Sequence, residues 1–251
     1  MSQLIELSID KAIATITINR PDKRNSLIPE MLNSLEQAVI DIEGNEGVRF
    51  VVLTGAGDKA FCTGADLNAF SSLGFDAVRK NWVPDGHRIF KRLSRLPQPT
   101  IAVLNGDAFG GGLELALACD FRIAREGVNV GFPEGKVGTI PGWAGTTRAV
   151  DAIGLNRAKY MILSGATIDT AAALSWGLIN HIGSLEDFLK PFLQVGPLAQ
   201  QISKQLMSTF ENHNNAEVLE AFAGALSNVT EDFTEGVSAF KEKRPPQFKG
   251  K

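Results

Sequence analysis

Three successive glycines in the middle of the chain constrain its fold and chemistry more than any other feature. Residues 110–112 are all glycine, and they follow an apolar run, residues 101–104, that is typical of a strand. Glycines that lead from a strand into a helix leave backbone N–H groups free to bind an anion or a developing oxyanion. Glu114 follows in an apolar helical segment, and Glu134 comes after a proline. Two carboxyl groups near free N–H groups predict an active site with an acid and a base.

The composition excludes several other classes of protein. The chain has 251 residues, 44% of them hydrophobic, and a formal net charge of −3, which is typical of a globular protein with a full core. The mildly acidic balance argues against nucleic-acid or membrane partners. No apolar run reaches the ~20 residues of a membrane span. The N-terminus resembles neither a signal nor a transit peptide. With only two cysteines, Cys62 and Cys119, both in apolar surroundings and expected to be buried, we predict a cytoplasmic protein.

The order of the predicted elements indicates an α/β fold. A hairpin around Asp10 and Lys11, an amphipathic helix that ends at Gly44 and a buried strand over residues 50–53 begin an alternation of strands and helices. Asp66 is expected to cap a helix, and residues 82–86 are expected to break the helical region after it. From about residue 184 only helical patterns follow, including one over residues 218–226. We therefore predict an α/β core over residues 1–190 and a helical C-terminal region over residues 191–251, which packs in an oligomer.

A second glycine pattern, residues 55–60, imitates the dinucleotide-binding fingerprint after a strand. The fingerprint has to run straight into a helix, and residues 61–64 do not continue as one, so we interpret the pattern as a turn. A nicotinamide-dependent oxidoreductase stays as an alternative that a helix at Asp58 would support. No cluster has metal-ligand spacing, and the G-x-S-x-G motif of serine hydrolases is absent from the sequence. We expect neither a metal nor another cofactor.

A set of short motifs resembles, in order along almost the whole chain, those of the crotonase superfamily, the enoyl-CoA hydratase/isomerase family. A single such motif would be weak evidence, but the complete ordered set is specific. The matching segments are residues 19–26, 51–55, 60–66, 105–116, 119–120, 132–134, 138–142, 145–148 and 238–244.

The resemblance implies a crotonase-type spiral of repeated ββα units, an acyl-CoA thioester substrate, and a homo-oligomer, either a trimer or a dimer of trimers. It implies that the backbone N–H groups of Ala65 and Gly111 form an oxyanion hole for the thioester oxygen. By analogy Glu114 would activate the water, and Glu134 would supply the proton to the α-carbon. Coenzyme A would then be part of the substrate rather than a cofactor.

The same resemblance supplies candidates for contacts with the substrate and its coenzyme A. Lys23 and Arg24 lie on the loop that borders the nucleotide in the family, and Lys243 could reach the ligand of a neighbouring subunit. The anionic phosphates need such local positive charge in an acidic protein. The full set of predicted substrate and coenzyme A contacts is Lys23, Arg24, Ala65, Asp66, Leu67, Asn68, Trp143, Phe240 and Lys243.

Three positions depart from the commonest hydratase pattern. Asn68 stands where lysine is frequent, Asp107 puts an acid just before the glycines, and Trp143 stands where a small residue is usual. A tryptophan adds bulk near the acyl group. Whether it narrows the pocket or stacks on an unsaturated or aromatic acyl group is open at this point.

Hydration of a 2-enoyl-CoA is the activity that the two glutamates favour. The alternatives are double-bond isomerisation, hydrolysis of an acyl-CoA thioester or a β-diketone C–C bond on the same fold, and a non-catalytic binding member of the family, for example for RNA. Without the resemblance, Glu114 could simply favour a helix N-terminus, Glu134 could be a solvated turn residue, and the lysines could be ordinary surface charges.

Overall fold

The structure is a computed structural model that describes residues 3–208 and 229–251. The chain divides into two compact units. One contains Met1–Leu96 and Thr100–Leu185, and the other contains Pro97–Pro99 and Glu186–Lys251.

The strands of the described residues form two sheets. Their bounds are β1 Ile5–Asp10, β2 Ile13–Ile18, β3 Phe50–Gly55, β4 Ala60–Cys62, β5 Thr100–Leu104, β6 Asp107–Phe109, β7 Phe121–Ala124, β8 Asn129–Gly131, β9 Thr167–Asp169 and β10 His181–Ile182. The larger sheet has the order β1-β2-β3-β5-β7-β10, and the smaller has the order β4-β6-β8-β9. β1 and β2 form the predicted antiparallel hairpin, and every later neighbour in the larger sheet is parallel.

Pairs of consecutive strands are divided between the two sheets in a repeated way. β3, β5 and β7 lie in the larger sheet, while β4, β6 and β8, which follow them, lie in the smaller one and are parallel to one another. Helical segments follow each pair. This arrangement is the repeated ββα unit of the predicted α/β crotonase-type spiral, so the prediction of the fold class is confirmed.

The helices of the first unit follow and connect the strands, and most of them have buried residues. Their bounds are α1 Pro29–Glu43, α2 Leu67–Ser71, α3 Phe75–Ala77, α4 Val83–Ser94, α5 Gly111–Ala116, α6 Gly145–Ile153, α7 Leu155–Ser164 and α8 Thr170–Trp176. In α1, proline occupies the first turn, and the residues at helical spacing (Met31, Leu35, Val39 and Ile42) are fully buried. Cys62 and Cys119 are buried as predicted.

The predicted break at residues 82–86 is wrong. A π-helical turn, Val78–Trp82, runs directly into α4, and Pro84 lies in the first turn of α4. A proline in the first turn needs no N–H partner there, so it does not interrupt the helix. Gly86 continues α4 as a buried residue.

The turn after β3 also argues against the alternative of a nicotinamide-dependent oxidoreductase. No helix begins at Asp58 among the described residues, because the chain turns and enters β4 at Ala60. The interpretation of residues 55–60 as a turn is therefore confirmed.

The second unit contains two longer described helices, Pro197–Met207 and Glu231–Glu242. The C-terminal tail is attached to the latter helix, because Asp232 accepts hydrogen bonds from the backbone N–H groups of Lys249 and Gly250 at 2.6 and 2.9 Å. The predicted helix over residues 218–226 lies outside the described residues. No described helix combines the length and apolar character needed to cross a membrane.

Candidate functional site

A cavity of about 370 Å³ in the first unit brings together the predicted catalytic residues. Its lining comes from the turn after β4, the start of α5 and the segment from residue 133 to residue 143. Ala65, Gly111, Glu114, Glu134 and Trp143, which the sequence predicted as site residues, all line it.

Two backbone N–H groups at this cavity are left without partners by the way the chain is held. Leu27 donates from its N–H to the carbonyl of Gly64 and accepts from the N–H of Asp66, both at 2.8 Å, so the N–H of Ala65 between them stays out of this pairing. Gly111 is the first residue of α5 and its N–H has no acceptor in that helix. Neither N–H donates to another described residue.

Gly64 allows the two segments that carry these N–H groups to approach. Its φ is +85°, and a Cβ built on it would lie 2.9 Å from the backbone nitrogen of Gly111. Any side chain at this position would be strained and would push the two segments apart. The role of the Ala65 and Gly111 N–H groups as an oxyanion hole stays a prediction.

The carboxyl group of Glu114 lies deep in the protein, where backbone N–H groups hold it. Its side chain is 2% exposed, and Oε1 accepts hydrogen bonds from the N–H groups of Trp143 and Gly145, each at 2.7 Å. Burial raises the pKa of Glu114 above its ordinary value, while these hydrogen bonds and the charge of Arg148 act in the opposite direction. A Cβ on Gly145 would lie 2.8 Å from Oε1, so only glycine leaves room for this contact.

Glu134 faces the same cavity without such support. It is the second residue of the 3₁₀ helix Pro133–Val137, and neither of its buried carboxyl oxygens has a hydrogen-bond partner in another described residue. Burial, with a further contribution from the charge of Glu114, raises the pKa of Glu134 to about 7. A Cβ on Gly110 would lie 2.9 Å from Oε1 of Glu134, so this carboxyl lies against the backbone that leads to the Gly111 N–H.

Trp143 closes one side of the cavity. Its side chain is buried, and its indole N–H donates to the carbonyl of Trp82 at 3.0 Å. The ring centroid lies 4.8 Å from that of Trp82 and 5.2 Å from that of Phe90. Aromatic rings at these separations and tilts attract one another. The position of the indole is therefore set by both packing and a hydrogen bond.

Asp66 caps α2, as predicted. Its Oδ1 accepts from the N–H groups of Asn68 and Ala69 at 3.0 and 3.1 Å, and its Oδ2 pairs with Arg20 at 2.8 Å. These bonds lower the pKa of Asp66. Leu67 is 56% exposed and lies at the rim of the cavity, while the side chain of Asn68 is exposed and does not line it. Contact between these residues and a substrate stays a prediction.

The remaining predicted coenzyme A contacts are distant in sequence from Glu114 and Glu134. Lys23 and Arg24 are exposed, and their loop is attached to the site because Thr63 donates to the carbonyl of Arg24 at 3.2 Å. Phe240 and Lys243 belong to the second unit, where Phe240 is in the helix Glu231–Glu242 and Lys243 follows it as an exposed residue. The predicted coenzyme A contacts of all four stay predictions.

Sequence reasoning missed the residues that hold the catalytic groups in place. Gly145 and Arg148 belong to a family-like motif, but the sequence pattern predicts no role for either of them. Arg148 donates to the carbonyl of Trp143 at 3.3 Å and so supports the segment that binds Glu114. Gly86 was interpreted as part of a helix break, although a buried glycine inside a helical pattern can signal close packing.

Comparisons with known proteins place the chain in one family. The sequence model of a family described as enoyl-CoA hydratase/isomerase matches residues 8–251. A crotonyl-CoA hydratase of Syntrophomonas wolfei is 34% identical, over 97% of each chain. The mitochondrial methylglutaconyl-CoA hydratase of Homo sapiens is 34% identical, over 96% of this chain and 75% of its own. The crystal structure of an enoyl-CoA hydratase from Bacillus anthracis superposes with a TM-score of 0.92 at 35% identity, covering 99% of this chain and 100% of that one.

Proposed function

Since the chain belongs to the enoyl-CoA hydratase/isomerase family, we propose that it adds water across the 2,3 double bond of an enoyl-CoA thioester. The observation that carries this proposal is the contrast between the two carboxyl groups in one cavity. Glu114 receives two backbone hydrogen bonds, which favour its charged form, whereas Glu134 has no partner among the described residues and a pKa of about 7. On this contrast we assign the role of the base to Glu114 and the role of the acid to Glu134.

The thioester carbonyl binds with its oxygen at the N–H groups of Ala65 and Gly111. As the nucleophile adds, charge moves from the double bond onto this oxygen, where donors that are already in place stabilise it. Removal of one such donor typically costs about 2.7–4 kcal/mol in activation free energy. The binding of the thioester therefore also prepares the α,β double bond for attack.

The two glutamates complete the addition. Glu114 accepts a proton from the water whose oxygen forms the new bond to the β-carbon. Glu134 donates its proton to the α-carbon when the enolate collapses to the thioester. The pair begins and ends with one proton in total, so the reverse reaction uses the same residues with their roles exchanged. No cofactor takes part in these steps.

The test follows the absorbance of the conjugated enoyl thioester with crotonyl-CoA. Wild type should hydrate crotonyl-CoA, so that this absorbance is lost. Glu114→Gln and Glu134→Gln should each reduce kcat by about 10²–10⁴-fold, the usual contribution of a general acid or base. A wild type that binds crotonyl-CoA but leaves its absorbance unchanged would contradict hydration.

The same assay separates hydration from isomerisation. With a 3-enoyl-CoA, an isomerase creates the conjugated absorbance and leaves it, whereas a hydratase does not create it. Two carboxyl groups at one cavity favour hydration, because proton transfer between two carbons of one substrate can be done by a single carboxyl. A homo-oligomer, as a trimer or a dimer of trimers, stays a prediction that sedimentation can test.

A further inference from the structure

We propose that Trp143 limits the length of the acyl chain, so that the substrates are 2-enoyl-CoA thioesters with short acyl groups. This inference rests on the proposed function and adds the class of acyl group to it. It resolves the question that the sequence left open, whether the tryptophan narrows the pocket or stacks on the substrate.

The indole lies beside one of the two N–H groups proposed for the thioester oxygen. The edge of its six-membered ring packs on Gly111, because a Cβ built on that glycine would lie 2.6 Å from Cζ3 of Trp143. Gly111 also carries one of the two N–H groups for the thioester oxygen. The ring therefore starts beside the reacting end of the substrate, and acyl carbons that extend in this direction meet it at once.

The opposite edge of the indole closes the space up to α4. A Cβ built on Gly86 would lie 2.1 Å from Nε1 of Trp143, so the ring lies between α4 and α5 and contacts both. A small residue at position 143 would leave that region open as an extension of the cavity. Trp143 thus occupies the volume that a longer acyl chain would need.

The indole cannot move aside at low cost. Its N–H is bonded to the Trp82 carbonyl, and its faces and edges contact the rings of Trp82 and Phe90. Rotation out of this position would break the hydrogen bond and leave a void in a close-packed region. Because the indole is held on several sides, it excludes long acyl chains instead of moving to make room for them. Trp143 therefore narrows the pocket.

The first experiment measures kcat/KM for four-, six-, eight- and ten-carbon 2-enoyl-CoAs. Wild type should prefer the four-carbon substrate to the ten-carbon one by at least about tenfold, since a single methylene in an apolar pocket changes kcat/KM by about 10–200-fold. Trp143→Ala should raise the ten-carbon to four-carbon ratio by at least about tenfold. Trp143→Phe, which removes part of the ring next to Gly111, should lie between the two.

Matched controls separate a local effect from general damage. The backbone N–H of Trp143 bonds to Glu114 in every variant, so the catalytic carboxylate keeps this partner. Trp176→Ala removes a half-buried tryptophan that packs on Tyr160, outside the lining of the cavity. It should keep the wild-type chain-length profile.

Binding of saturated acyl-CoAs, which cannot be hydrated, distinguishes failure of this inference from failure of the proposed function. Wild type should bind butyryl-CoA more tightly than decanoyl-CoA when both are measured relative to free coenzyme A, and Trp143→Ala should reverse or abolish this order.

If wild type hydrates nothing but keeps this binding order, the proposed function fails and the limit on chain length stands. Equal kcat/KM or equal binding across the series, or a Trp143→Ala profile like that of wild type, would overturn the inference. If Trp143→Ala does not fold, the wild-type series and Trp143→Phe still decide.

Discussion

The wall of the cavity that carries Glu114 supplies two backbone hydrogen bonds to its carboxylate, whereas the wall that carries Glu134 supplies none from another described residue. Both side chains are glutamates, and burial raises the pKa of both. The difference lies in what the backbone offers. N–H groups aimed at Glu114 favour the ion, while the bare surroundings of Glu134 favour the neutral acid. Backbone hydrogen bonds from other residues thus oppose the effect of burial at Glu114, and among the described residues none does so at Glu134.

The strongest way to break this contrast is to neutralise both groups at once. Glu114→Gln and Glu134→Gln should each lower kcat by about 10²–10⁴. Since the two carboxyls act in a single addition, the double variant should be slower than the slower single variant by less than about tenfold. Initial rates with crotonyl-CoA measure this, and losses that multiply would mean that the groups act independently.

The difference in hydrogen bonding between Glu114 and Glu134 should also appear in the free energy of unfolding of their variants. Glu114→Ala leaves the buried N–H groups of Trp143 and Gly145 without their acceptor, at about 1–3 kcal/mol for each, so the free energy of unfolding should fall by about 2–6 kcal/mol. Glu134→Ala removes a carboxyl that lacks a partner and should change stability by less than about 1 kcal/mol. Urea unfolding at pH 8 and one fixed protein concentration compares them. Equal losses would contradict the difference in support.

Stability should depend on pH through Glu134. Its pKa in the folded protein is about 7, above the ordinary value of 4.5, so folding favours the protonated form. The stability that this provides is fully present below pH 4.5 and is lost as the pH rises through about 7. Between pH 5 and pH 8, wild type should lose about 1–3 kcal/mol more than Glu134→Gln, given 1.36 kcal/mol per pKa unit and partial exposure of the group. Parallel pH curves for the two proteins would show that the carboxyl is already ionised at pH 5.

The smallest expected effect is on the pH profile of catalysis. Hydration needs one proton shared by Glu114 and Glu134. The alkaline limb of the kcat/KM profile should therefore begin near pH 7 and fall about tenfold per pH unit above it. Dehydration should show the same limb, because it uses the same number of protons. The residual activity of Glu134→Gln should lack this limb. A limb that persists in that variant would assign the titration to another group.

Much of the site was predictable because its signals are local. The glycines before Glu114, the capping role of Asp66 and the hairpin at Lys11 each depend on neighbouring residues. The ordered family-like motifs added the spiral fold. Local chemistry and motif order were therefore enough to propose which side chains face the substrate.

The partners of those side chains were not predictable in this way. The N–H groups that bind Glu114 come from a segment that is distant in sequence, and their approach depends on how the loop before α6 folds. The π-helical turn Val78–Trp82 differs from an α-helix only in the register of its hydrogen bonds, which residue type does not specify. The expected break at residues 82–86 is wrong because the proline lies in the first turn of α4 and the glycine packs against Trp143 inside that helix.

The contact between Gly86 and Trp143 restricts how this protein can evolve. A larger residue at position 86 is incompatible with the indole in its present place, whereas a smaller residue at position 143 is compatible with glycine at position 86. The two substitutions are therefore tolerated in one order only, with position 143 changing first. A lineage that replaced the tryptophan by a smaller residue could then accept a larger residue at position 86 in α4. Once that larger residue is present, a return to tryptophan at position 143 would be blocked.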